Sequence, residues 1–144
     1  MALTAADALG ADIFEIVPEQ PYTEADLAYY TDCRADREQQ DASARPGIAF
    51  WPEGLEQYDV ILLGYPIWHG QAPKIMYTLV EGLNLSGKTI VPFCTSASSP
   101  AGSSAENLCK LTDGSANWLD VWRVGNHSTA EDVRAWALSL NMGA

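Results

Sequence analysis

The chain has 144 residues, enough to bury a hydrophobic core, and we expect a single domain over residues 1–144. Its hydrophobic fraction is 47%, yet no segment approaches the roughly 18 apolar residues that a membrane span needs. The first residues lack the basic start and apolar stretch of a secretion signal, so we expect a cytoplasmic protein.

The net charge of the chain is −11, and it is unevenly distributed. Residues 1–59 hold 13 acidic side chains and three arginines, a net charge of −10, whereas residues 60–144 carry −1. This balance disfavours nucleic acids and anionic membranes as partners. The acidic part either attracts a basic partner protein or serves as a solvated surface, and composition leaves both open.

The first 57 residues predict few regular elements. Residues 2–9 have apolar side chains at helical spacing and predict a helix, and Asp12–Val17 predicts a short strand. A weak helix start at Thr23 leads into a polar segment that predicts, up to about Gln40, an exposed helix at best. The proline- and glycine-containing stretch Asp41–Gln57 predicts a long connection.

The stretch Tyr58–Gly70, YDVILLGYPIWHG, organises the rest of the chain. Its unbroken apolar run Val60–Leu63 predicts a strand that is covered on both faces. A helix should then begin at Pro73, because proline is tolerated in a first turn. Its apolar stripe consists of Ile75, Met76, Leu79, Val80 and Leu83.

The second half of the chain continues the alternation of strands and helices. Thr89–Thr95 predicts a buried strand in which Pro92 indicates a bulge or an irregular edge. S-x-x-E capping boxes that begin at Ser103 and Ser128 predict two helices, with a fourth strand, Trp118–Val124, between them. Such an order predicts a parallel sheet with right-handed crossovers.

Two loops follow consecutive predicted strands at the carboxyl edge of the sheet, where open α/β sheets bind their ligands. The first, Tyr65–Gln71, is bulky and aromatic, and the second, Thr95–Gly102, is rich in hydroxyl groups. Together they predict a slot for a flat heteroaromatic ligand, with Trp68 as the stacking face. In the alternative, Trp68 and Tyr65 only pack against neighbouring helices.

The sequence of these segments also resembles a known family. Residues 59–104 closely resemble the flavodoxin family, and in particular its short bacterial members, in DVILLGYPIWHGQAPKIMYTLVEGLNLSGKTIVPFCTSASSPAGSS. Residues 10–22 and 131–140 fit the same group. The resemblance implies a three-layer α/β/α sandwich with a parallel sheet and FMN at its switch point.

The resemblance also implies which residues bind FMN. Trp68 would stack on the isoalloxazine ring, and backbone groups beside it would tune the flavin N5. The implied cofactor-binding residues are Tyr65, Pro66, Ile67, Trp68 and His69 in the first loop, and Thr95, Ser96, Ala97, Ser98 and Ser99 in the second. The implied function is electron transfer or flavin reduction with a redox protein or small-molecule acceptor as partner, and no residue is assigned as catalytic.

The chain departs from the family pattern at its start. Members begin with a strand and an S/T-x-T-G-N-T loop around the FMN phosphate, whereas here Met1 falls inside the predicted first helix. Losing several charge-assisted hydrogen bonds, each worth roughly 1.5–3 kcal/mol, would cost on the order of 5 kcal/mol, or about three to four decades in affinity. We therefore expect weakened or lost FMN binding; the alternative is a non-enzymatic remnant that acts as an interaction module.

The same departure leaves four strands rather than five and opens the predicted sheet next to Val60–Leu63. Proteins rarely leave ladder edges exposed, so we expect a homodimer or a swapped N-terminal segment to cover this one. Direct pairing of the two flanking strands, or an N-terminal segment that drifts away, are the alternatives.

Other candidate sites have little support in the sequence. His69 and His127 form no metal-binding pattern, and the serines of the second loop lack a G-x-S-x-G nucleophile elbow. Cys33, Cys94 and Cys109 lack CxxC spacing, so we expect buried free thiols rather than a disulfide or a metal site.

Overall fold

A computed structural model describes residues 2–28, 32–96, 100–112, 114–125 and 128–140. Its helices are α1 (Ala2–Leu9), α2 (Arg34–Gln40), α3 (Lys74–Gly82), α4 (Ser104–Cys109) and α5 (Ala130–Ser139), with 3-10 turns at Ala25–Leu27 and Leu55–Gln57. Its strands are β1 (Val60–Pro66), β2 (Thr89–Thr95), β3 (Asn117–Trp118) and β4 (Trp122–Val124).

The four strands form one parallel sheet. β1 pairs with β2 over its whole length, from Val60 opposite Thr89 to Pro66 opposite Thr95. The other edge of β2 pairs first with β3 and then with β4. The strands therefore end together, so the loops after β1 and β2 leave the sheet side by side.

Helices cover both faces of this sheet because successive strand residues point to opposite sides. Leu63 and Tyr65 of β1 belong to one hydrophobic cluster together with α3 and with Leu108 of α4. Leu62 belongs to a second cluster, which α1 and α5 form with Val124. The result is a three-layer arrangement with two apolar cores.

The irregularity predicted at Pro92 is present as a shift in pairing. Between the pairs Ile90–Trp118 and Phe93–Trp122, β2 advances three residues and the opposite chain advances four. One extra residue on one side of a ladder is a β-bulge. The single predicted strand Trp118–Val124 is therefore split into β3 and β4, and Pro92, which has no N–H to donate, lies opposite the gap.

The predicted strand Asp12–Val17 is wrong. These residues form no strand; the nearest pairing is an isolated antiparallel bridge between Pro18 and Ile48. Ile13 and Phe14 are about half exposed. No strand of the described residues pairs with the second edge of β1. Without a ladder partner, the backbone groups of residues 12–16 must form their hydrogen bonds with water instead.

The structure also changes three local predictions. Helix α2 is not simply exposed, because one of its faces is buried. Ser103 precedes α4 but its side chain makes no capping hydrogen bond. The closing helix is capped one residue later than predicted, by Thr129 and Asp132, which exchange side-chain and backbone hydrogen bonds in a capping box.

Two further observations concern the chain as a whole. No helix among the residues described is long and apolar enough to cross a membrane. The three cysteines are free thiols: Cys33 and Cys94 are buried, and Cys109 is half-buried.

Candidate functional site

The loops after β1 and β2 lie next to each other at the carboxyl edge of the sheet. The amide of Ile67 donates to the carbonyl of Thr95 at 3.0 Å, which joins the two loops where they begin. Farther out, a β-carbon placed on Gly102 would lie 3.6 Å from the carbonyl oxygen of Gly70. The aromatic turn and the hydroxyl-rich loop are thus direct neighbours.

The aromatic loop closes on itself in a tight turn. The amide of Trp68 donates to the carbonyl of Gln71 at 2.8 Å, and the amide of Gln71 donates to the carbonyl of Trp68 at 3.1 Å. Between them, His69 has a φ of 52° and Gly70 a φ of 76°. Positive φ at both central positions defines a type I′ turn, in which glycine is favoured and histidine is uncommon. This turn fixes the directions of the Trp68 and His69 side chains.

Trp68 is half-buried, and part of its ring is covered by an aromatic residue from earlier in the chain. Tyr22 meets it edge-to-face, with centroids 5.3 Å apart and an interplanar angle of 78°. The guanidinium of Arg34 lies 3.9 Å over the Tyr22 ring, and the Tyr22 hydroxyl donates to Glu38. Burial, followed by the bond to Glu38, raises the pKa of Tyr22 well above its usual range, so the phenol stays neutral.

Helix α2 supports the turn through two polar side chains. The Gln39 amide nitrogen donates to the carbonyls of Trp68 at 2.9 Å and of Ala72 at 3.1 Å. Asp36 Oδ1 lies 2.7 Å from Nε2 of His69. These contacts explain why α2 buries polar residues. They could not be predicted from the sequence, because polar side chains are mostly exposed.

Tyr65 lies in the core rather than at the loop surface. It is only 4% exposed, and its hydroxyl is 3.0 Å from the Ser104 hydroxyl at the start of α4. Burial raises the pKa of Tyr65 to about 12, so it is neutral at physiological pH. Ile67 is half-buried against the same core, whereas Pro66 is exposed.

The second loop is held by an arginine on β4. Thr95 and Ser96 are half-buried, and Arg123 donates to the hydroxyl of Ser96 at 2.7 Å and to its carbonyl at 3.3 Å. Three predicted site residues of this loop lie outside the described residues: Ala97, Ser98 and Ser99. The structure therefore brings together Pro66, Ile67, Trp68, His69, Thr95 and Ser96 at one edge of the sheet.

The thiol that lies at this edge is a poor candidate for covalent catalysis. Cys94, at the end of β2, is buried, and burial raises the pKa of its thiol, an effect that Arg123 partly opposes. A protonated, enclosed thiol is a poor nucleophile. Among the residues described, no three histidine, cysteine or carboxylate side chains lie close enough together to hold a metal ion.

A hollow of about 460 Å³ lies at the opposite end of the strands. Its lining is mostly polar and includes Asp59, directly before β1, and Lys88, directly before β2. Lys88 donates there to the carbonyls of Leu55 and Tyr58, so its ammonium group already has partners. Because ligands of parallel α/β sheets bind outside the carboxyl ends of the strands, we assign the candidate site to the two loops.

A parallel sheet covered by helices on both faces, with paired loops at its carboxyl edge, defines a flavodoxin-like α/β protein. The sequence profile of the flavodoxin family matches residues 1–140, and the chain belongs to that family. The fold class predicted from the sequence, a flavodoxin-like α/β sandwich with four strands, is confirmed. None of the curated proteins matches this chain at a significant level.

Solved structures agree with this assignment. A protein from Bacteroides eggerthii, provisionally assigned as a flavoprotein, is 39% identical; the match covers 97% of this chain and 87% of that one, with a TM-score of 0.86. A similar protein from Bacteroides uniformis is 32% identical over 93% and 85% of the two chains, also with a TM-score of 0.86. A flavoprotein from Lactobacillus acidophilus, solved in complex with FMN, is 22% identical over 85% and 84%, with a TM-score of 0.61, and shares the fold.

Proposed function

We propose that this chain binds the isoalloxazine ring of FMN between the Trp68 turn and the second loop, and acts as an electron-transfer protein or a small flavin reductase. The observation that carries the proposal is the adjacency of the two loops, which the Ile67–Thr95 hydrogen bond joins and which lie close together at Gly70 and Gly102. FMN binding by the Lactobacillus acidophilus relative supports the choice of ligand. Bound flavin supplies the redox chemistry, and the chain positions it and limits its contact with water.

The residues at this edge fit a planar ring. Trp68 offers an indole for stacking, Pro66 an exposed apolar surface, and the strand ends offer backbone groups that can contact polar ring edges. Tyr22 packs edge-on against Trp68 and so restrains the indole. Tyr65 is excluded from direct ring contact in this proposal because it is buried against Ser104.

Phosphate recognition is the weaker part of the fit. The 144 residues contain no T-G-N-T segment, so ring contacts would supply most of the affinity. We therefore propose a micromolar or weaker site. Because FMN and riboflavin share the ring and differ in the phosphate, such a site should bind both about equally.

Titration with both flavins tests this proposal. We expect dissociation constants in the micromolar range that agree within about threefold, a difference of roughly 0.6 kcal/mol, measured by quenching of flavin fluorescence. FMN binding a hundredfold or more tighter than riboflavin, about 2.7 kcal/mol, would show that another group holds the phosphate. If both dissociation constants exceed about 100 μM, which corresponds to a binding free energy weaker than about −5.5 kcal/mol, the flavin proposal is wrong.

That last outcome would favour the alternative, an interaction module without FMN. The edge of β1 that no described strand pairs with supports it, because Gly64 is exposed and Ile61 and Leu62 are only half-buried in a strand of strongly apolar sequence. We also propose that a second copy of the chain covers this edge. A redox protein or a small-molecule electron acceptor is the partner in the flavin proposal and not in this alternative.

A further inference from the structure

Gln39 on α2 binds both ends of the aromatic loop at once. Its amide nitrogen donates to the carbonyls of Trp68 and Ala72, at 2.9 and 3.1 Å, and its amide oxygen accepts from the backbone N–H of Lys74 at 3.1 Å. The side chain is 8% exposed, so these bonds are shielded from water. One side chain therefore joins the turn to the start of α3.

These backbone groups need a partner from outside the loop. The first N–H groups of a helix have no acceptor within it, and they are usually satisfied by the side chain of the residue before the helix. For α3 that residue is Pro73, whose side chain makes no capping hydrogen bond. Gln39 performs this task for Lys74 from a different element, which couples the position of α3 to α2.

Asp36 adds a second contact from the same face of α2. It lies three residues before Gln39, and residues at this spacing are neighbours on a helix surface. Its Oδ1 atom is 2.7 Å from His69 Nε2, and the residue is 3% exposed. The turn is thus held at its first residue through Gln39 and at its second through Asp36.

We propose that Gln39 and Asp36 are positioning residues that fix the Trp68 turn for contact with the flavin ring. The inference rests on the proposed function for the identity of the ligand. It assigns a role to α2, which contributes no residue to the predicted site. Removing Gln39's polar groups should leave the sheet intact and allow the indole to depart from its binding position.

The variant Gln39→Met tests, without any flavin, whether the hydrogen bonds of Gln39 stabilise the turn. Methionine has a similar length and removes both the donor and the acceptor. Hydrogen exchange of the Trp68 and Gln71 amides, which close the turn, should accelerate about tenfold or more. Asp36→Ala should accelerate hydrogen exchange of the same amides. It is the variant to measure if Gln39→Met does not fold.

Lys88→Met is the matched control. Lys88 is also a largely buried side chain, 9% exposed, that donates to two backbone carbonyls, and it lies at the opposite end of the strands. This variant should leave exchange of the Trp68 and Gln71 amides unchanged. Unchanged exchange in Gln39→Met and Asp36→Ala, or equal acceleration in Lys88→Met, would overturn the proposal.

Riboflavin binding then tests whether fixing the turn contributes to ligand affinity. In Gln39→Met the dissociation constant should rise about tenfold, and bound riboflavin should keep more of its fluorescence because the indole quenches it less. In Lys88→Met both values should equal those of the wild type. If the wild type binds no riboflavin but the amides respond as expected, the proposed function fails while the role of α2 in fixing the turn is supported.

Discussion

Replacing Trp68 with alanine should raise the dissociation constant for riboflavin about a hundredfold. The indole is the largest planar surface at the candidate site, and Tyr22 holds it edge-to-face at 5.3 Å. Loss of the apolar contact area and of the stacking interaction amounts to about 2–3 kcal/mol. Phenylalanine at position 68 should give an intermediate value, because a smaller ring still stacks. Fluorescence titration of each variant measures these constants.

Trp51 provides the control of the same residue type. It lines no part of the two loops; its indole lies against the backbone of Gly82, near the opposite end of the strands. Trp51→Ala should change the stability of the protein without changing riboflavin affinity. Wild-type affinity in Trp68→Ala, or an equal loss in Trp51→Ala, would show that the ring does not bind at the Trp68 turn.

Alanine at position 64 should lower the free energy of unfolding by about 1–3 kcal/mol. A β-carbon on Gly64 would lie 2.7 Å from Cε2 of Phe93 on the neighbouring strand. Phe93 cannot move aside freely, since its ring packs against Trp136 at 5.5 Å and Trp136 stacks on Trp122 at 4.6 Å. The sign is informative, because alanine in place of glycine normally stabilises a strand by roughly 0.5–1 kcal/mol. Denaturant unfolding measures the change.

Gly47→Ala is the control for this substitution. A β-carbon there would also meet a side chain, but it is the carboxylate end of Glu19, which can rotate away. We expect a change within about 0.5 kcal/mol. A stability gain in Gly64→Ala would mean that the ring of Phe93 does not cover this glycine.

The central elements could be predicted because their patterns are local and strong. The apolar run Val60–Leu63 lies within β1, the predicted strand Thr89–Thr95 coincides with β2, and the helix expected from Pro73 is α3. Most residues of α3 and β2 are buried, and burial of such apolar segments follows directly from composition. The adjacency of the two loops followed from the parallel order of these strands.

The predictions that failed depended on partners elsewhere in the chain. Asp12–Val17 has the apolar and β-branched residues of a short strand, but a strand requires a ladder partner, and no described residue provides one. Trp118–Val124 is mostly apolar, yet the bulge opposite Pro92 interrupts it. A sequence pattern reports the preference of a segment and does not report which neighbour it meets.

Part of the candidate site was missed for the same reason. Gln39 and Asp36 belong to a polar segment, and only the contacts with the aromatic turn explain why they are buried. Tyr22 directly follows a proline, and nothing local indicates that it packs against Trp68. Its signal in the sequence is slight: a large aromatic residue in an otherwise polar stretch.

Chemical-shift mapping with riboflavin tests most directly whether the two loops form one ring-binding site. Amide resonances of the wild-type protein would be followed during the titration. We predict the largest shifts in residues 66–71 and 95–102 together, at the carboxyl edge of the sheet, and little change around Asp59 and Lys88 at the opposite hollow. Shifts that centre on that hollow, or that involve only one of the two loops, would contradict the proposed site.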